Sequence, residues 1–223
     1  MAEFYLVRHG QASFGTDDYD RLSTLGQQQS LWLGHYFAER AIEFDRVIIG
    51  TQLRHRQTAD AICRGNGQDV LFCEHAGLNE YDFHALFKAL GDEHAELKRL
   101  ASGSKRDFYK GLKQVLQLWA AGQLAGDLPE SWGSFAGRVE DARHFIQQCG
   151  ARRVLVVSSG GPIGMMGRQV MEAPAHIAIE LNLQVRNTSF SHYFFNESAV
   201  QLASFNNIPH LDRPDRLQTI SYG

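Results

Sequence analysis

Phe4-Tyr5-Leu6-Val7-Arg8-His9-Gly10-Gln11 sets four apolar residues directly against a cation, an imidazole and a glycine. An apolar run without polar relief suits a strand covered on both faces, as in a parallel sheet flanked by helices. Open α/β sheets gather ligands beyond the carboxyl ends of such strands, and Arg8 and His9 fall there. Gly10 permits a tight turn and a close backbone approach. Singly, an Arg after a strand is an ordinary surface charge and a His an ordinary solvated ring. Their adjacency at the end of a first strand is a narrower pattern.

Working outward, three more apolar runs end in chemistry-bearing loops. Arg46-Val47-Ile48-Ile49 leads into Gly50-Thr51-Gln52-Leu53-Arg54-His55-Arg56-Gln57-Thr58-Ala59, read as a loop and a helix reaching about residue 63. Residues 70–73 form a third strand, followed by Leu78-Asn79-Glu80. Residues 154–157 form a fourth, ending in Ser158-Ser159-Gly160-Gly161-Pro162, with Pro162 suited to the first position of the next helix. An amphipathic helix over 25–41 follows an N-cap at Ser23, and a long helix runs from Ser131 to about 148. Residues 187–195 and 200–205 read as an edge hairpin. The polar tail from Asn207 reads as extended.

The chain has 223 residues, 43% of them hydrophobic and 21% charged, which fits one generous domain. The net charge of −3, without a basic block, disfavours a nucleic-acid surface. Three dispersed cysteines give no disulfide framework, and the ten histidines form no ligand cluster, so no metal or other cofactor is expected. No apolar run approaches membrane-spanning length, and the first strand leaves no room for a signal peptide. A cytoplasmic location is expected, with no membrane partner; the oligomeric state is left open.

These segments, in this order, resemble the histidine phosphatase (phosphoglycerate mutase-like) superfamily. Arg8-His9-Gly10 resembles its nucleophile signature, and Leu22-Ser23-Thr24-Leu25-Gly26-Gln27-Gln28-Gln29 its Leu-Thr-x-x-Gly-x-x-Gln stretch. Arg54, three residues before Gln57-Thr58-Ala59, matches its second phosphate-binding Arg. Leu78-Asn79-Glu80 matches its acidic signature. The resemblance implies a single three-layer α/β/α sandwich over 1–223, with a mostly parallel sheet, an antiparallel edge and a helical cap inserted at about 83–127. It implies His9 as nucleophile and Glu80 as proton donor. Arg8, Arg54, Ser159 and Gly160 would contact phosphate, and Gln11, Phe14 and Gly15 would lie on a substrate loop. Arg56 is assigned a supporting role.

Two positions depart from the pattern. Gly50 stands where Ser or Thr is usual, and Ser159 stands where a second histidine is usual. His84 or His192 is a candidate to fill that gap; otherwise Ser159→His is expected to improve catalysis. The implied activity is metal-independent hydrolysis of a small phosphomonoester through a phosphohistidine, as in the histidine acid-type phosphatases, with activity lowered by Ser159. The alternative is a weak or silent phosphate-binding regulatory module. A phosphoglycerate-type mutase ranks third, because the cap segment carries no evident basic cluster for a second anion.

Overall fold

The computed structural model describes residues 2–13, 20–124 and 126–222. Its sheet has six strands in the order β3-β2-β4-β1-β5-β6. They are β1 (Ala2–Arg8), β2 (Arg46–Ile49), β3 (Phe72–Glu74), β4 (Arg153–Ser158), β5 (Phe190–Phe195) and β6 (Val200–Asn207). The first four are parallel to one another, and β5 and β6 form the antiparallel edge. β1 pairs with β4 so that Arg8 lies opposite Ser158. The two loops carrying His9 and Ser159 therefore leave the sheet side by side.

The apolar runs are explained by layers on both faces. Phe4, Leu6, Ile48, Val154 and Val156 pack into one cluster with α6 (Trp132–Gln147) and α7 (Gly160–Val170). Tyr5, Val7, Val47, Ile49, Leu155 and Val157 pack into another with α1 (Thr24–Ala38) and α2 (Leu53–Asn66). Alternate residues of each strand thus enter opposite cores, and each fully buried aliphatic side chain contributes about 1.5–3 kcal/mol of transfer free energy.

The segment between Glu80 and α6 forms α3 (Phe83–Lys88), α4 (Ala95–Ala101) and α5 (Lys105–Ala120). A capping box between Ser104 and Asp107 starts α5. Its face of Leu112, Val115, Leu116 and Trp119 joins the first core cluster, so these helices are packed onto the sandwich. Helix α8 (Ala175–Gln184) packs beside α7 and α5.

Several boundaries differ from the sequence reading. β3 begins at Phe72, and Leu71 is exposed. Helix α1 ends at Ala38, before Ala41 takes a left-handed backbone. Helix α2 continues to Asn66 and stops at Gly67, whose φ of 68° is the left-handed cap that glycine favours. Pro162 is the third residue of α7, because the helix already starts at Gly160. The tail is not a free extension: His210 and Leu211 are buried, and Asn187 N–H donates to the Ser221 carbonyl at 2.9 Å. Of the three free cysteines only Cys63 is buried.

Candidate active site

His9 follows β1 directly, and its amide donates to the Ser158 carbonyl at 2.9 Å. The side chain is 4% exposed. Its Nδ1 lies 2.7 Å from the Gly10 carbonyl, which can only accept, so Nδ1 carries the proton and Nε2 keeps its lone pair. Burial, followed by the charges of Arg54 and Arg8, holds the imidazole well below its ordinary pKa. His9 is therefore neutral. Gly10 is required for close approach: a Cβ there would stand 2.4 Å from the Gly26 carbonyl of α1. The Gln57-Thr58 pair of α2 positions this loop, through Gly10 N–H to Thr58 Oγ1 at 3.0 Å and Leu22 N–H to Gln57 Oε1 at 2.8 Å.

Two guanidinium groups flank the imidazole. Arg8 donates through Nη1 to the Val185 carbonyl, and its buried Nε has no hydrogen-bond partner among the described residues. Arg54 lies in the first turn of α2, where a cation opposes the helix dipole. Its Nη1 donates to Asp20 Oδ1 at 2.7 Å and its Nη2 to Gln52 Oε1 at 2.8 Å. Asp20 Oδ2 accepts the Leu53 N–H at 2.8 Å. The anion at this helix terminus is thus the protein's own carboxylate. Arg56 points elsewhere, pairing with Glu74 at 3.1 Å and lying over the Phe72 ring.

Glu80 reaches the same cavity from the loop after β3. Arg138 holds that loop, donating to the carbonyls of Gly77 and Asn79 while gripping Glu130 with its other nitrogens. Asn79 is tied to Thr51 in both directions. Burial raises the Glu80 pKa above the ordinary carboxyl value, against the opposing pull of the Gly161 amide, Arg54 and Arg8. Gly160 and Gly161 have no room for side chains. A Cβ on Gly160 would meet Asn182 Oδ1 at 2.5 Å, and one on Gly161 would meet Glu80 Oε1 at 2.2 Å.

Ser159 is the N-cap residue of α7 and is fully buried. Its Oγ lies 2.8 Å from Nε2 of His55. Neither His84 nor His192 occupies this place. His84 is exposed beside Phe83, and His192 stacks on Tyr5 and bonds Glu3 at 2.7 Å. The imidazole beside Ser159 is that of His55, which no sequence motif marks because it lies between two arginines at a helix start that reads as solvated. Its ring is fully buried, with its centroid 5.8 Å from that of His9.

Arg8, His9, Arg54 and Glu80 line one cavity. Its walls are largely apolar or aromatic: Phe83, Phe108, Tyr109 and Leu112 come from α3 and α5, and Tyr222 from the C-terminal tail. Asn182 of α8 also lines it and donates to the Tyr81 hydroxyl at 2.8 Å. Tyr222 and Asn182 carried no motif that sequence reading could use. Gln11 does not line the cavity; its side-chain oxygen accepts from Ser23, and its backbone bonds Gln29 and Ser23. Phe14 and Gly15 lie outside the described residues. Among the described residues, no helix is long and apolar enough to cross a membrane.

Comparison with known proteins agrees with this architecture. No functionally curated protein shows significant sequence similarity to the chain. Its fold is similar to that of a phosphoglycerate mutase from Bacillus anthracis, at 17% identity and a TM-score of 0.69, with 94% of each chain covered. An alpha-ribazole phosphatase from Shigella flexneri aligns at 19% identity and a TM-score of 0.65, covering 92% of this chain and 96% of that one. A phosphoserine phosphatase from Entamoeba histolytica, solved with 3-phosphoglyceric acid, aligns at 19% identity and a TM-score of 0.65, covering 95% and 100%. The profile of the histidine phosphatase superfamily (branch 1) matches residues 4–208, and the chain belongs to that superfamily.

Proposed function

We propose that the protein is a phosphomonoester hydrolase that works through a phosphohistidine on His9 and needs no metal. The observation that carries this reading is the convergence of a neutral His9, two guanidinium groups and a protonatable Glu80 on one cavity. Nε2 of His9 attacks phosphorus, forming the N–P bond as the ester P–O bond breaks. Glu80 gives its proton to the departing oxygen, then takes one from the water that cleaves the N–P bond. Arg8 and Arg54 hold the non-bridging oxygens and offset their charge; phosphate displaces part of the Arg54–Asp20 contact. The phosphatases among the similar structures support phosphate-ester chemistry in general without choosing a substrate.

The mutase reading is not favoured: among the described cavity-lining residues the only cations are Arg8 and Arg54. Ser159 supports a second reading, a phosphate-binding module with little turnover. The unpaired cysteines fit a reducing, cytoplasmic setting. The test is an acid quench of the purified protein with labelled aryl phosphate. An acid-labile phosphoprotein that vanishes in His9→Ala, with turnover abolished in that variant, is expected; Arg8→Ala and Arg54→Ala should each lose more than about a hundredfold in kcat/KM. Label retained in His9→Ala overturns the assignment, and tight phosphate binding without turnover selects the second reading.

A further inference from the structure

Both departures from the family pattern meet at one side chain. Gly50 and Ser159 are far apart in sequence, yet each faces His55. Ser159 Oγ is 2.8 Å from Nε2. On the ring's other side, a Cβ at Gly50 would fall 2.2 Å from Nδ1. The ring fits only because residue 50 lacks a side chain and residue 159 has a short one. A histidine wedged here makes no apolar sense: it is fully buried, and its Nδ1 has no hydrogen-bond partner among the described residues. A group kept under such conditions calls for a compensating role.

The proton position gives that role a direction. With the hydrogen on Nδ1, a buried N–H donor would be stranded. With it on Nε2, only a lone pair is left unmatched, and Nε2–H donates to Ser159 Oγ. The Ser159 hydroxyl hydrogen is then free to point elsewhere. The pair lies beside the nucleophile: the carbonyl of the preceding Ser158 receives the His9 amide, and the His55 ring centroid is 5.8 Å from that of His9. Burial and the Arg54 charge hold the His55 pKa well below the ordinary imidazole value, so the ring stays a neutral donor.

We infer that His55 is a positioning residue, which fixes the Ser159 hydroxyl as a hydrogen-bond donor to the phosphoryl group on His9. The inference rests on the phosphatase reading. The donor is then a neutral hydroxyl at the end of β4, held in place by an imidazole delivered from α2. Because the oriented hydroxyl strengthens its contact as negative charge develops, its effect belongs mainly in kcat.

A double-mutant cycle tests this, with kcat, KM and vanadate inhibition measured for the wild type, His55→Ala, Ser159→Ala and the double variant. Each single change should lower kcat roughly ten- to a hundredfold with little change in KM, and weaken vanadate inhibition in parallel. The double variant should be no worse than the weaker single, because the two side chains act as one device. His55→Gln, whose amide N–H can still reach Ser159 Oγ, should recover much of the loss. If His55→Ala folds poorly, Ser159→Ala and His55→Gln carry the test through melting-matched comparison. Multiplicative losses in the double variant, or a fully active His55→Ala, overturn the inference. A wild type without turnover would instead refute the phosphatase reading. The same four proteins titrated with inorganic phosphate then decide the pair: a shared, non-additive loss of affinity supports it, and equal affinities overturn it.

Discussion

The backbone N–H of Gly161 lies within hydrogen-bond distance of both carboxylate oxygens of Glu80, at 3.1 and 3.2 Å. Gly161 is the second residue of α7, so this amide at the positive end of the helix serves the acid. The contact favours the ionised carboxylate, while burial favours the protonated acid, and burial prevails. The helix thereby limits how far the Glu80 pKa rises and keeps the group able to change state during turnover.

The pH profile follows from the two shifts. His9 must be neutral, so kcat/KM should fall only as pH drops through a value well below 6.5. Glu80 must be protonated, so activity should fall as pH rises through a value above 4.5. After correction for the phosphate's own ionisation near about pH 6, the optimum is expected on the acidic side of neutrality. Glu80→Gln should lower kcat/KM by about 10²–10⁴ for an alkyl phosphate. It should cost far less for p-nitrophenyl phosphate, whose leaving group needs little protonation. Equal losses on both substrates would remove Glu80 from the acid role.

Substrate preference should follow the cavity walls. Phe83, Phe108, Tyr109 and Tyr222 surround the approach to Arg8 and Arg54, with no further cation among the described lining residues. Apolar and aromatic surface contributes roughly 25 cal/mol per Å² buried, whereas a second anionic group would be desolvated without a partner. Aryl or long alkyl phosphates are therefore expected to exceed 3-phosphoglycerate by at least about tenfold in kcat/KM. Phe108→Ala should narrow that ratio. A preference for the phosphoglycerate would show that these walls do not select the substrate.

The parallel core was legible because β1, β2 and β4 are apolar on both faces, a pattern solvent-facing strands do not show. The positions of His9 and Arg54 were legible because each follows such a strand; Glu80 follows the half-buried β3 and was legible from the Leu78-Asn79-Glu80 spelling at its place in the strand order. His55 was not. Its burial depends on a glycine five residues earlier and on a serine over a hundred residues later, a relationship no local period carries. The same holds for the tail, whose polar residues signalled solvent. Gln29 in fact donates to the Thr219 carbonyl at 2.7 Å and to Ser221 Oγ at 3.0 Å, bringing Tyr222 to the cavity.

That tail should also govern stability in acid. His210 is buried, and burial with the nearby Arg216 charge lowers its pKa to about 3. Its Nε2 lies 2.8 Å from Thr188 Oγ1. A histidine depressed in the folded state contributes stability fully above the unfolded pKa, about 6.5, and loses it as pH falls toward the folded value. Between pH 7 and pH 4 this one site should remove about 3 kcal/mol. Urea unfolding of His210→Asn should show a shallower decline over that range, even if the variant starts lower at pH 7. Parallel declines would place the acid sensitivity elsewhere.

The most direct reversal concerns Ser159→His, which the sequence alone marks as a gain. With the His55 ring already 2.8 Å from Ser159 Oγ, a second imidazole has no space. Overpacking of this kind costs about 1–3 kcal/mol. The single variant should therefore melt lower and lose activity, whereas Ser159→His combined with His55→Ala should recover both, because the incoming ring takes the volume the other leaves. Gly50 provides an independent check on the same space. Gly50→Ala places a Cβ 2.2 Å from His55 Nδ1 and 2.6 Å from Asn79 Oδ1, so it should impair the wild type strongly and the His55→Ala background less. Steady-state kinetics with thermal melts on these variants decides the matter. A Ser159→His protein that gains activity with His55 intact would show that the ring does not occupy the corner beside the phosphate.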